Sequence, residues 1–255
     1  MIDMLKAKEA FASYVRKYPI EDDKIRLKIQ HTYKVSEIAR KIAEEVTKDP
    51  DQIQLAELIG LLHDIGRFEQ VTRYHTFLDA QSINHAELGV QLLKEGLLRT
   101  FLEDTSYDAI IYQAIENHNR YQIREGLDPL TLLHAKIIRD ADKTDIFRVN
   151  LMEKDELLYH CTREELWYDH VTDEIYEAFL NKQSIESSTR RTHLDILVSH
   201  IAFLFDYNYA VSLRIVAEKQ YIQKLLAPYH FYNHETQQRM RHIKELALQH
   251  LKECC

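Results

Sequence analysis

Gln52-Ile-Gln-Leu-Ala-Glu-Leu-Ile-Gly60-Leu-Leu-His-Asp-Ile-Gly66 is the stretch on which the reading of this chain turns. Leu55, Leu58, Ile59 and Leu62 recur at intervals of three and four, so they share one face of a helix. The helix is expected from about Gln52 to His63, with Gly66 placed just past its end, where glycine commonly stops a helix. His63 lies four residues after Ile59, on the inward face, and Asp64 follows at once. Burying an unpaired carboxylate is costly, and a buried imidazole must be hydrogen-bonded or liganded.

The same periodicity extends in both directions. From Ile25 to Val46 an apolar stripe through Val35, Ile38, Ala39, Ile42 and Val46 carries His31 on its face, and Lys48-Asp-Pro50 ends it. A helix over Ser82 to Glu95, with Leu88, Leu92 and Leu93 inward, presents His85. One from Ser106 to about Asn117 leads to His118, three and four residues after Ile115 and Ala114. Another, from Leu130 to Val149, places Asp142 four residues after Ile138. Arg67 to Gln81 reads as a polar, aromatic loop, and Arg124-Glu-Gly-Leu-Asp-Pro129 as a turn.

The rest of the chain is also expected to be helical. Thr162-Arg-Glu-Glu165 fits a capping box opening a helix through Leu180. Ser187 or Ser188 is the expected cap for an apolar helix from His193 to Phe205. Tyr207 to Leu226 and Glu235 to Lys252 follow. The fold class is therefore all-α, with residues 1–150 as a helical bundle and 151–255 as a helical extension packed on it in one globular unit.

Composition agrees: 45% of the 255 residues are apolar, enough for a large core, and only 5 Gly and 4 Pro occur, too few for many tight turns. The net charge of −8 argues against a nucleic-acid binder, whose footprint is basic. Cys161, Cys254 and Cys255 suggest neither a disulfide framework nor a zinc ribbon, which favours a reducing compartment. The charged start of the chain does not read as a signal peptide. Leu197 to Phe205 is only nine residues long, against about 20 for a membrane span. A cytoplasmic protein without membrane segments is expected.

Six imidazoles and carboxylates thus project from the apolar faces of five helices. Any one of them could be satisfied by a neighbour, but six converging on one core call for a cation among them. Imidazole and carboxylate suit Mn, Fe, Co, Ni or Zn, whereas Mg or Ca prefers oxygen alone; the candidate divalent ions are Mn, Fe, Co, Ni, Zn or Mg. The six are too many for one tetrahedral ion, so two ions sharing a bridging carboxylate account for them better, with Asp64 as the bridge.

In their order, His31, then His63-Asp64 within Leu61-Leu-His-Asp-Ile-Gly66, then Asp142 within Arg139-Asp-Ala-Asp-Lys-Thr144, resemble the HD superfamily of metal-dependent phosphohydrolases. His85 and His118 resemble the further ligands of its dinuclear subset. The likeness covers roughly residues 20–150. It implies an all-α domain in which one metal takes His31, His63, Asp64 and Asp142 and a second takes Asp64, His85 and His118. Metal-activated water would then cleave a phosphate ester or anhydride, with a small phosphorylated compound, such as a nucleotide, as substrate. Many relatives carry Lys directly after this motif; here Arg67 stands there and offers a bidentate grip on phosphate but a poorer proton donor.

Arg67 and Lys143 are candidate phosphate-binding residues, each with a surface or structural ion pair as the competing reading. His75, in the Arg73-Tyr-His-Thr-Phe77 segment, is a candidate general acid, against a solvated loop histidine. Arg214 and the aromatic Phe203-Leu-Phe-Asp-Tyr-Asn-Tyr209 run are candidates for a substrate pocket, against ordinary helix packing. His134 reads as a hydrogen-bonded core histidine. The same ligand order also resembles a branch with a mixed-valent di-iron centre that oxidises a polyol or phosphonate, and a non-catalytic regulatory module is a third reading. A homodimer through helical faces is compatible with the sequence.

Overall fold

Four of the six ligand candidates, His63, Asp64, His85 and His118, stand at helix ends or breaks, and the other two lie within long helices. The structure, a computed structural model, describes residues 2–254. It consists of helices and short 3-10 turns, with no strand among the described residues. Two compact units are distinguished, dividing between Asp142 and Lys143.

The first unit contains α1 (Met4–Val15), α2 (Asp23–Val46), α3 (Pro50–Leu62), α4 (Ile65–Tyr74), α5 (His85–Lys94) and α6 (Asp108–His118), followed by the first part of α7 (Pro129–Met152). Local chemistry sets the helix starts. Asp22 caps α2 by accepting from the Lys24 amide, and Asp49 caps α3 with Pro50 in the first helical position, where a missing N–H costs nothing. The expected inward residues Val35, Ala39, Ile42, Leu55, Leu58, Ile59 and Leu62 are all buried.

The expected loop from Arg67 is corrected. Residues 67–74, read as loop, continue a helix that begins at Ile65. Gly66 lies inside α4 rather than past the end of α3. Ile65, Phe68 and Val71 supply a buried face that the glycine had obscured. Phe68 packs its ring within 5.8 Å of Phe11 and 6.0 Å of Tyr14, both on α1, a helix absent from the periodicity reading. α4 ends at His75, which takes the left-handed conformation (φ 56°) and returns its amide to the Val71 carbonyl.

The second unit holds the rest of α7, then α8 (Asp155–Tyr159), α9 (Arg163–Tyr168), α10 (Asp173–Leu180), α11 (His193–Ile201), α12 (Ala210–Glu218), α13 (Tyr221–Leu226) and α14 (His234–Cys254). The capping box at Thr162 and Glu165 forms, but the helix it opens stops at Tyr168 and α10 restarts at Asp173. α11 is capped by Thr192 in a second box with Asp195, not by Ser187 or Ser188, which lie in a 3-10 turn. Phe179, Leu197, Ile201, Ile243 and Ala247 belong to its core. Among the described residues no helix is long and apolar enough to cross a membrane.

Gly66 is fixed by close approach. A Cβ there would overlap the His85 carbonyl oxygen and lie 2.6 Å from the Gly89 amide nitrogen, both backbone atoms of α5. Gly66→Ala is expected to push α4 from α5 and cost about 1–3 kcal/mol, as overpacking does. Urea unfolding checks this; an unchanged midpoint would show that the two helices are not held this closely.

Candidate metal centre

Five stretches of backbone deliver six side chains to one buried spot. His31 lies within α2, His63 and Asp64 occupy the break between α3 and α4, His85 opens α5, His118 closes α6, and Asp142 lies within α7. His31, His63, Asp64, His85 and His118 are each 4% exposed or less, while Asp142 is half-buried. Asp64 is the N-cap residue of α4, but its side chain makes no capping bond. Its carboxylate turns instead toward the histidines.

The two oxygens of that carboxylate face different pairs. Oδ2 lies 3.7 Å from His31 Nε2 and 3.6 Å from His63 Nε2. Oδ1 lies 3.3 Å from His85 Nε2 and 3.9 Å from His118 Nε2. Asp142 Oδ1 closes the first group, 3.0 Å from His31 Nε2 and 3.8 Å from His63 Nε2. Donor atoms that share an ion at bond lengths near 2.1 Å stand about 3.0–3.5 Å apart, so these separations suit ligands drawn in around cations. Three overlapping triads each bring one ligand atom per residue within 4.8 Å of the others: His31, His63 and Asp64; His63, His118 and Asp142; Asp64, His85 and His118.

The ring tautomers strengthen the case. His63 Nδ1–H donates to the Gly60 carbonyl at 2.8 Å, His118 Nδ1–H to the Ile115 carbonyl at 2.6 Å, and His85 Nδ1–H to the Asp79 carboxylate at 2.7 Å. Those partners are pure acceptors, so in each neutral ring Nε2 carries a lone pair. His85 Nε2 and His118 Nε2 then confront one another at 3.1 Å. His63 Nε2 is buried with no hydrogen-bond partner. Opposed lone pairs and an orphaned buried nitrogen are unfavourable in a closed core and fit cations set between them.

Electrostatics hold the set in the protonation state that metal ligation would require. Burial pushes the His85 and His118 imidazoles down to about 4, so they are neutral at pH 7. Burial opposes ionisation of Asp64, yet Lys28, His63, His85 and Arg67 hold its carboxyl well below the usual range. Asp142 is likewise depressed: burial acts against it, and its bond to His31 together with the charge interactions of His31, His63 and His118 outweighs that.

The other residues named from the sequence are distributed as follows. Arg67 stands beside the cluster, its Nε 3.6 Å from Asp64 Oδ1, while Nη1 donates to Gln70, the Phe77 carbonyl and Asp79 at 2.7–2.9 Å. His75 is an exposed residue at the end of α4 whose carbonyl accepts from Lys24 Nζ, and it is not part of the cluster. Lys143 is buried and paired with Asp206. Arg214 is a half-buried residue of α12 in the second unit. His134 is a core histidine, bonded through Nε2 to Gln52 Oε1 at 2.9 Å.

Two participants escaped the sequence reading. Lys28 Nζ lies 2.7 Å from Asp64 Oδ2. Lying three residues before His31, it shares that helix face, so spacing could have revealed it. Asp79 sits in a stretch read as loop, and nothing in its sequence setting marks it.

Residues 29–146 match the family model of the HD domain. No curated protein and no solved structure matches the chain.

Acid should destabilise the metal-free protein. His85, His118 and His134 sit near 4 in the folded state against about 6.5 when unfolded. The unfolded chain therefore binds more protons between those values. The contribution is intact above about pH 6.5 and is lost as pH falls through about 4, at up to about 1.4 kcal/mol per unit for each ring. Urea midpoints of chelator-treated protein at pH 7.5 and 5.0 test this; equal midpoints would contradict the neutral, buried state of these rings.

Proposed function

From the match of residues 29–146 to the family model of the HD domain, we propose that the chain is a metal-dependent hydrolase of a small phosphorylated compound, cleaving a phosphate ester or anhydride, nucleotides included. The observation that carries the reading is the division of the Asp64 carboxylate, one oxygen toward His31 and His63 and the other toward His85 and His118. One ion would be held by His31, His63, Asp64 and Asp142, and a second by Asp64, His85 and His118. Divalent ions bound there supply Lewis acidity toward a phosphoryl oxygen and bring water within reach of deprotonation near neutral pH.

The protein's own groups do the rest. Backbone carbonyls of Gly60 and Ile115 hold His63 and His118 in the tautomer that presents Nε2 inward. The near-complete burial of five of the six groups excludes bulk water and strengthens each charge interaction in the site. Lys28 and Arg67 place positive charge at the Asp64 edge of the cluster, where a phosphate dianion would be attracted. The cation named from the sequence that stands beside Asp64 is Arg67, and it is the phosphate-binding candidate retained in this reading.

Metal analysis of protein purified without chelators, followed by phosphatase, phosphodiesterase and nucleotide-hydrolysis assays with Mn²⁺ or Co²⁺, tests the proposal. The expected result is two ions per chain and release of a phosphorylated or phosphate product. Asp64→Ala is expected to lose both ions and all turnover. Fewer than one ion per chain, or full turnover in Asp64→Ala, would refute the reading. Oxygen uptake without phosphate release would move the centre to an oxidative class.

A further inference from the structure

We propose that Asp79 is the positioning residue for the His85 side of the centre, locking the His85 ring so that its Nε2 lone pair faces Asp64 and His118; the metal-binding consequence rests on the two-ion reading above. Asp79 lies in the short 3-10 turn Asp79–Gln81, between α4 and α5. Both of its oxygens are engaged. Oδ2 accepts from His85 Nδ1–H at 2.7 Å and from Asn119 Nδ2 at 3.3 Å. Oδ1 accepts from Arg67 Nη1 at 2.9 Å and Gln70 Nε2 at 2.8 Å.

The donors that hold Asp79 come from fixed elements. Arg67 and Gln70 are on α4, and Gln70, fully buried, spends its amide on Asp79, Ser82 and the Ile83 carbonyl. Asn119, just past α6, also donates to Asn84, the residue that caps α5. A carboxylate with four donors cannot rotate freely, so its acceptor direction toward His85 is set in advance. His85 has otherwise little to orient it: it is the first residue of α5, whereas His63 and His118 bond carbonyls of their own helices three residues back. An imidazole that ligates through Nε2 commonly donates its other N–H to a carboxylate, and losing such a partner costs 10–100-fold in metal affinity or activity, a magnitude about which this prediction is scaled.

The geometry also gives Arg67 a definite task. Its Nη1 is fully used on the Asp79 turn and the Phe77 carbonyl, so this end of the guanidinium fastens the positioning residue. Nε, buried and without a hydrogen-bond partner, is the part that remains directed near Asp64.

The test uses the full-length protein and three variants: Asp79→Ala, Asp79→Asn and, as a reference on the opposite side, His31→Ala. Circular dichroism first confirms that each is folded. Titration with Co²⁺ alone, followed by visible absorption, reads the two binding steps. Asp79→Ala is expected to weaken one step by about 10–100-fold and leave the other within about 3-fold. Asp79→Asn, which keeps an acceptor oxygen, should recover most of that loss. Independently of any metal, long-range ¹H–¹⁵N NMR of the chelated protein should find His85 as the Nδ1–H tautomer, and in Asp79→Ala as a mixture of tautomers. If Asp79→Ala leaves both Co²⁺ steps and the His85 tautomer unchanged, the positioning role is overturned. If the unsubstituted protein shows no second Co²⁺ step but the tautomer still depends on Asp79, the two-ion reading fails while the locking of His85 stands. Should Asp79→Ala fail to fold, Asp79→Asn carries the decision, and an unchanged first and second step with a shifted tautomer would overturn the link to metal.

Discussion

A single buried carboxylate faced on both sides by imidazole lone pairs is the constraint on which this structure depends. Asp64 is nearly inaccessible, ionised, and surrounded by four Nε2 atoms within 3.9 Å. In a closed core such an arrangement stores electrostatic cost unless positive charge compensates it. Lys28 supplies part of that charge on one oxygen. The imidazoles cannot supply the rest without protonation, which burial opposes. The fitness of this set for a cation therefore follows from hydrogen-bond accounting, before any likeness to other proteins is considered.

The fold is shaped to meet that constraint. The break between α3 and α4 falls on His63 and Asp64, so the carboxylate is released from capping duty and the imidazole is tied back to Gly60. Gly66 allows α4 to lie against the start of α5, which brings His85 to the opposite oxygen. Arg139, nearly fully buried, donates to the carbonyls of Asn117, His118, Arg120 and Tyr121, gathering the chain as it leaves α6 and fixing the helix end that presents His118. Each candidate ligand is thus set by a helix boundary or by a packed helix face, and little of the geometry depends on a flexible loop.

Sequence pattern revealed the parts of this that have a period. The stripes of α2, α3, α5, α6 and α7 identified the buried faces, and His31, His63, His85, His118 and Asp142 fell on them because a side chain directed into a core must occupy a core position. What lacked a period was missed. α4 was hidden because Gly66 read as a stop signal, when its real reason is the close approach of α5, a tertiary fact. Asp79 could not be recognised because its partners Arg67, Gln70, His85 and Asn119 are gathered from four places in the chain. In the second unit the Phe203–Tyr209 run read equally as pocket wall or packing; Phe203 and Phe205 pack against that unit's core, and Tyr207 receives the Thr144 hydroxyl at 3.0 Å.

Anomalous diffraction from crystals of the Mn²⁺-loaded protein tests the central claim most directly. Two peaks are predicted on opposite sides of the Asp64 carboxylate, one within bonding distance of Oδ2, His31 and His63 and the other of Oδ1, His85 and His118. An ordered Asp64 with no anomalous density at either oxygen, its histidines satisfied by water or by one another, would contradict the account.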